Sequence, residues 1–285
     1  MAEKLTKNER REAAREKAKL QLEQEKKRRK IRSIWTKIGV LLGVLAVVGI
    51  VLSIILAANK PPVEQINPKN MVSDGVLFDG STTPVSTPAI AKGSEPTPTT
   101  QNPDKVNVVV YLDYSCPYCK KFEAAQSSIL ENYVKSGDVT VEYHPLAFLS
   151  NYSAVAANAS ACIAANEPDK WWKANSELYA QQPDENVAKG YATKTSIRTV
   201  KDILKGVGIS SETSTCITDM PYIDWAAKAT SSALTGPLPN SDSPKVQGTP
   251  YVIVDGKFYP NADYINDPST LTNVIEAAKQ AKATK

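Results

Sequence analysis

The chain has 285 residues, a single histidine, four unevenly placed cysteines and a formal net charge of +4, enough for one sizeable domain with appendages. The charge is split: residues 1–37 hold 14 Lys and Arg against 6 Asp and Glu, and the rest of the chain holds 20 against 24. A basic end on a mildly acidic body argues against a nucleic-acid binder and for a membrane topology signal.

In chain order, residues 3–30 are rich in Ala, Glu, Lys and Arg and contain neither Gly nor Pro, the composition of a solvated helix. They make residues 1–37 a basic tail whose cations suit anionic lipid headgroups. Ile38–Ala58 is 21 residues without a charge. At ~1.5 Å per residue it reaches roughly 30 Å, the thickness of a bilayer core. It is long for a signal-peptide core, and Ile55 and Leu56 stand where a cleavage site wants small residues. The span over 38–58 therefore reads as an uncleaved transmembrane anchor rather than a cleaved secretory signal. KKRRKIR, Lys26–Arg32, lies just before it. That cluster sets the N-terminus in the cytoplasm and the remainder outside the cell membrane, in a single pass. Disulfides persist in that outer compartment.

Residues 59–104 hold eight prolines and many Ser and Thr and are expected as an extended tether. Within them GVLFDG, over 75–80, has strand-forming residues between glycines and is a candidate edge strand. VNVVVYLDY (Val106–Tyr114) is a continuous β-branched apolar run, as a buried central strand would be. Helical spacing follows, with Phe122, Ile129, Leu130 and Tyr133 toward one face and Gly137 as a stop. VTVEYHP (Val139–Pro145) alternates as a second strand. From about 150 to 235 strand patterns are absent and Ala is abundant. Helices are expected there near 152–165, 168–180, 185–206 and 219–234. Trp171 and Trp172 open one of these, with one ring in the core and the other half-exposed. PYVIVDGKFYP (Pro250–Pro260) reads as a hairpin turning at Asp255–Gly256. PSTLTNVIEAAKQAKA closes the domain as a helix, with Ser269 or Thr270 near its start. Residues 105–285 thus form an α/β domain, with a helical insertion between two halves of a sheet and a right-handed crossover joining the first two strands.

SCPYCKKF places Cys116 and Cys119 three apart where the first strand meets the first helix. Three uses compete for such a pair. A zinc site needs two more ligands at similar spacing, and His144, Cys162 and Cys216 are single and distant, so no metal is expected. A structural staple between neighbours closes almost no loop and stabilises little. A redox pair fits the placement. An ordinary thiol has a pKa of ~8.5 and is unreactive near neutral pH, but a helix start offers unpaired N–H groups and the positive end of the helix dipole. Pro117 suits the first helical position. Cys116 is then the attacked and attacking sulfur, and Cys119, turned inward, the resolving one.

The segment VYLDYSCPYCKKF resembles the active-site segment of the DsbA-like branch of the thioredoxin superfamily. ANASACIAANEPDKWWKANSELY (Ala157–Tyr179) is similar to that branch's helical insertion, and VQGTPYVIVDGKFY (Val246–Tyr259) to its proline loop. The likeness covers residues 105–283, and the anchored layout is similar to exported oxidoreductases of Gram-positive, actinobacterial type. It implies a thioredoxin-like fold with an inserted helical domain, preceded by a single transmembrane helix. It also implies a cis-proline at Pro250, after Thr249, facing the cysteines, where a substrate strand could pair. No cofactor is implied. Two departures stand out. Val110 occupies the position where thioredoxins keep a buried acid, leaving Asp113 as the nearest acid, either assisting proton transfer or ending the strand. Tyr118 replaces the histidine of the strongest oxidants, which implies an intermediate potential.

Cys162 and Cys216 fall in the helical block, and two leftover cysteines in an exported domain most simply pair. Buried free thiols or a second redox relay remain as alternatives. His144 reads as a packed residue, and Lys120 and Lys121 as solvated. The expected function is an extracytoplasmic thiol-disulfide oxidoreductase that forms disulfides in exported proteins with reduced cysteines. A VKOR- or DsbB-like integral membrane oxidant would recycle it. A reductase or isomerase using the same site, or a non-catalytic chaperone or adaptor module, are the alternatives.

Overall fold

The computed structural model describes residues 63–260, 265 and 267–284. The basic tail over 1–37 and the apolar span over 38–58 lie outside the described residues. Among those described, no helix is long and apolar enough to cross a membrane.

The centre of the molecule is the apolar run of the first expected strand. β2 (Val106–Asp113) is buried at every residue, as a β-branched run covered on both faces should be. It pairs in parallel with β3 (Val139–Leu146) and antiparallel with β4 (Tyr251–Val254). β1 (Val76–Asp79) adds to the outer side of β3, and β5 (Lys257–Tyr259) to β4, giving the order β1-β3-β2-β4-β5. The β4–β5 hairpin turns at Asp255 and Gly256, both at positive φ (46° and 80°), the backbone that a two-residue turn of this kind requires.

α1 (Pro117–Ser136) joins β2 to β3 and stops at Gly137, whose φ of 83° lets its N–H cap the Val134 carbonyl. Its buried stripe is Cys119, Phe122, Glu123, Gln126, Leu130 and Val134. Ile129 and Tyr133 are only half-buried. The stripe is displaced from the expected one because two polar residues belong to it.

The insertion packs around α2 (Asn151–Asn166), an Ala-rich helix buried over most of its surface. A short 3₁₀ turn (Pro168–Lys170) leads into α3 (Trp171–Ala180). The expected helix over 185–206 is two, α4 (Glu185–Lys189) and α5 (Thr193–Lys205), with Gly190 ending the first. α6 (Ser211–Asp219) has no counterpart in the sequence reading, and α7 (Ile223–Thr235) follows. Trp171 and Trp172 are both buried, at 2% and 6% exposure, against the expectation of one. α8 (Pro268–Ala283) closes the chain, with Asp267, rather than Ser269 or Thr270, capping its first turn.

The covering ring on the tryptophans comes from the Pro-rich stretch. Its backbone is irregular for most of its length, as expected of a tether, yet from Val63 on it is laid against the domain. Phe78 of β1 packs against Trp171 and Trp172, with ring centroids 5.2 and 4.8 Å away. Ser73 and Thr99, on either side of β1, both donate to the buried Glu142 carboxylate on β3. Trp225 of α7 donates to Asp74 at 2.8 Å. His144 is buried and stacks on Tyr111 at 4.5 Å. Gly75 leaves room for that imidazole, since a Cβ there would stand 2.5 Å from Nε2.

Cys162 on α2 and Cys216 on α6 form a disulfide, with Cα atoms 5.9 Å apart and a sequence separation of 54. In the chain-entropy account a loop of that length is worth about 4 kcal/mol. The double variant Cys162→Ala, Cys216→Ala should lower unfolding stability by up to that amount in urea titrations, with the largest loss of amide-exchange protection in α6.

Candidate active site

β2 delivers the site. After Asp113 the chain turns through Tyr114 and Ser115, and Cys116 takes the N-cap position of α1 in an extended conformation (φ −77°, ψ 119°), with Pro117 at the first helical position. An extended N-cap followed by proline is the favoured helix entry. Tyr118 points outward at 57% exposure, while Cys119 is fully buried. Both cysteines are free thiols.

The second half of the site comes from the residues before β4. The Thr249–Pro250 peptide bond is cis, and the Cys116 thiol donates to the Thr249 carbonyl at 3.2 Å. Pairing of Tyr111 on β2 with Tyr251 on β4 sets the two segments side by side.

The electrostatics separate the two sulfurs. A hydrogen bond from the Cys119 thiol is the main influence lowering the Cys116 pKa. Burial opposes it, and Thr249 and the N–H groups of Cys119 and Tyr118 assist, bringing it from 9.0 down to about 6. Cys119 is pushed well above its ordinary value, by burial first and then by Cys116 beside it. One sulfur is thus a thiolate near neutral pH and the other a thiol, the division of labour needed for dithiol–disulfide exchange.

Asp113, left between two roles by the sequence, has its carboxylate fully engaged. Oδ1 accepts from the Ser115 N–H at 2.8 Å and the Ser153 hydroxyl at 2.5 Å, and Oδ2 from the Phe148 and Leu149 N–H groups at 3.0 and 3.3 Å. Burial pushes its pKa up, and these four donors offset part of that. It splices the end of β2 to the segment leading into α2. Lys121 lies over the Tyr118 ring, 5.6 Å from its centroid, and Lys120 reaches the Gln182 carbonyl at 3.5 Å. The two lysines expected to be merely solvated therefore both have partners.

Gln182 escaped the sequence reading. From the loop after α3 its side-chain amide donates to the Tyr114 and Cys116 carbonyls at 2.6 and 3.1 Å. It thereby pins the cysteine loop to the helical insertion. Nothing in the polar run from Gln181 to Glu185 marks it, because its role depends wholly on where α3 ends. Gln182→Ala should cost about 1–2 kcal/mol of stability and slow Cys116 alkylation at pH 6–7. Gln182→Glu should slow it further by placing negative charge beside the thiolate. Iodoacetamide kinetics on both variants check this.

The family model described as thioredoxin matches residues 101–277, more than half of the chain. Disulfide bond formation protein D of Bacillus subtilis (strain 168) is 34% identical over 80 residues, which is 28% of this chain and 36% of that protein. Among solved structures, the disulfide bond oxidoreductase DsbG of Mycobacterium tuberculosis is similar at 22% identity and a TM-score of 0.52, over 74% of this chain and 93% of that one. BdbD of Bacillus subtilis matches at 19% and 0.52, over 77% and 100%. The MdbA thiol-disulfide oxidoreductase of Actinomyces oris matches at 14% and 0.53, over 77% and 94%. At these identities the structural likeness is one of fold: a thioredoxin-like sheet with a helical insertion. On the family match, which spans both the CPYC segment and the cis-proline loop, the chain belongs to the thioredoxin family.

Proposed function

We propose that this protein is an extracytoplasmic thiol-disulfide oxidoreductase that forms disulfides in exported proteins. The observation that carries the reading is the divided pair: Cys116 lowered to about 6 and held 3.2 Å from the Thr249 carbonyl, with Cys119 buried and raised behind it. A substrate thiolate attacks the Cys116 sulfur of the oxidised pair. The Cys116–Cys119 bond breaks and a mixed disulfide forms. A second substrate thiolate then attacks the substrate sulfur of that bond, releasing an oxidised substrate and the reduced pair. Cys116 departs as a stabilised thiolate, which favours giving disulfides away. Thr249 offers backbone beside the sulfur for an extended substrate. The names of the similar proteins support the same chemistry. Residues 38–58 would hold the domain on the outer face of the membrane, where an integral membrane oxidant could reoxidise the pair.

The reduction potential in glutathione buffers tests the direction. A value nearer about −200 to −230 mV than −120 mV is expected, with the pair oxidised in cells. A value near about −270 mV with the pair found reduced would overturn the oxidase assignment in favour of a reductase. Protease added to intact cells should digest residues 63–285, and their protection would defeat the proposed topology.

The pH dependence follows from the lowered thiol. Folding favours the Cys116 thiolate, so its contribution to the stability of the reduced form is complete above about pH 9 and is lost as pH falls toward about 6. Relative to Cys116→Ser, the reduced chain should gain stability as pH rises from 6 to 9. The iodoacetamide reaction of Cys116 should show its midpoint near pH 6.

A further inference from the structure

The Cys162–Cys216 disulfide joins two unlike sulfurs. Cys162, on α2, has no exposed surface, whereas Cys216, on α6, is half-buried and packs against the margin of the core. In the folded chain a nucleophile from solvent meets Cys216 and not Cys162. One turn before Cys162 on α2 stands Asn158, itself fully buried. Its Oδ1 accepts the Tyr222 N–H at 3.0 Å, which fixes the orientation of the amide. Its Nδ2 donates to the Cys162 sulfur at 3.8 Å. A neutral sulfur is a weak acceptor, and a hydrogen bond is roughly twice as strong when its acceptor is ionised. The amide therefore favours Cys162 most strongly when that sulfur leaves as a thiolate.

We propose that this disulfide is a second exchange site with a fixed polarity: a low-molecular-weight thiolate attacks Cys216, and Cys162 is the leaving sulfur. The inference goes beyond the oxidoreductase reading and uses neither Cys116 nor Cys119. The attacking sulfur bonds to Cys216, the Cys162–Cys216 bond breaks, and its electron pair leaves on the Cys162 sulfur beside the Asn158 N–H. One thiolate and one disulfide are present before and after the step, so no oxidant or reductant is consumed. Solvent then protonates Cys162. The reverse step, attack of the Cys162 thiolate on Cys216, expels the small thiol and restores the original bond. A thiol that is stabilised as its thiolate leaves faster, so Asn158 acts as a positioning residue that selects which sulfur departs.

Opening the bond frees a joint of the molecule. Apart from the disulfide, α6 buries two side chains, Thr213 and Ile217. The residues at its end carry the start of the Pro-rich stretch. Gln65 Nε2 donates to the Met220 carbonyl at 3.2 Å, and the Ile66 N–H donates to the Pro221 carbonyl at 3.0 Å. Gln65 Oε1 accepts the Asp224 N–H at 3.2 Å. A thiol carried on Cys216 loosens α6 and, through Met220 and Pro221, the first residues laid against the domain.

The test uses the full-length chain carrying Cys116→Ser and Cys119→Ser, exposed briefly to reduced glutathione at about pH 8, quenched with acid and mapped by peptide mass. Glutathione should sit on Cys216 in preference to Cys162 by about tenfold or more. Asn158→Ala should slow opening about tenfold, the low end for losing a hydrogen bond to a charged group. Loosened packing alone would speed opening, so a slower rate separates support of the leaving sulfur from a structural role. The position of the glutathione is read with Asn158 in place and stays decisive if the variant folds poorly. After opening, amide exchange should quicken in α6 and over residues 63–69. Glutathione on Cys162, equal labelling of the two sulfurs, opening no faster than global unfolding, or a variant rate at or above that of the unchanged Asn158 would overturn the inference. Unchanged amide exchange in α6 and over 63–69 would overturn the coupling between them.

Discussion

The contact between the Cys116 thiol and the Thr249 carbonyl joins residues 133 positions apart, and the chemistry depends on it. A helix start by itself favours a thiolate only modestly. Here the Cys119 thiol adds the main push toward the thiolate, while the Thr249 carbonyl, an acceptor, fixes where the sulfur stands. That contact is a property of strand register. β2 and β4 pair antiparallel with Tyr111 opposite Tyr251, so the residues just after β2 and just before β4 emerge at the same edge. Each strand is buried along its full length, and a slip of one residue would turn every side chain to the wrong face. The same apolar patterning that makes the core thus also fixes the distance between the two halves of the site.

Around this edge the other elements act as clamps. Asp113 ties the end of β2 to the segment entering α2, where Ser150 both caps the helix and meets Ser115 at 2.5 Å. Gln182 ties the cysteine loop to the end of α3. Both clamps reach the sulfur-bearing turn from the insertion, so the insertion is part of the machinery that holds the thiol and more than a lid over it. The disulfide between α2 and α6 braces the insertion at a place well separated in sequence from the exchanging pair.

The Pro-rich stretch adds a further brace. Glu142 on β3 collects hydroxyls from residues on both sides of β1, and His144 lowers its pKa despite burial. Phe78 covers the tryptophans that open α3, and Asp74 takes the Trp225 indole N–H. One strap therefore spans the outer edge of the sheet and two helices of the insertion.

Much of this was legible in the sequence because it is local. The β-branched run of β2, the alternation of β3, the Asp255–Gly256 turn and the proline after Cys116 are each dictated by neighbours in the chain. The likeness of two separated motifs to a known family supplied the cis-proline and the order of the halves. Other features were not legible, for reasons of the same kind. The stripe of α1 includes Glu123 and Gln126, which apolar periodicity ignores, although spacing of four from Cys119 places Glu123 on the inward face. The helix at Ser211–Asp219 is short and mostly polar, with Ile217 as its fully buried apolar side chain. Trp172 is buried among rings from distant segments, Phe78 of β1 and Tyr143 of β3. The sequence alone determined which sulfur stands at the helix start, since that follows from adjacent residues. Only the tertiary structure decided what surrounds that sulfur. Burial and the approach of Thr249 and Gln182 arise between segments that meet solely when the sheet and the insertion pack.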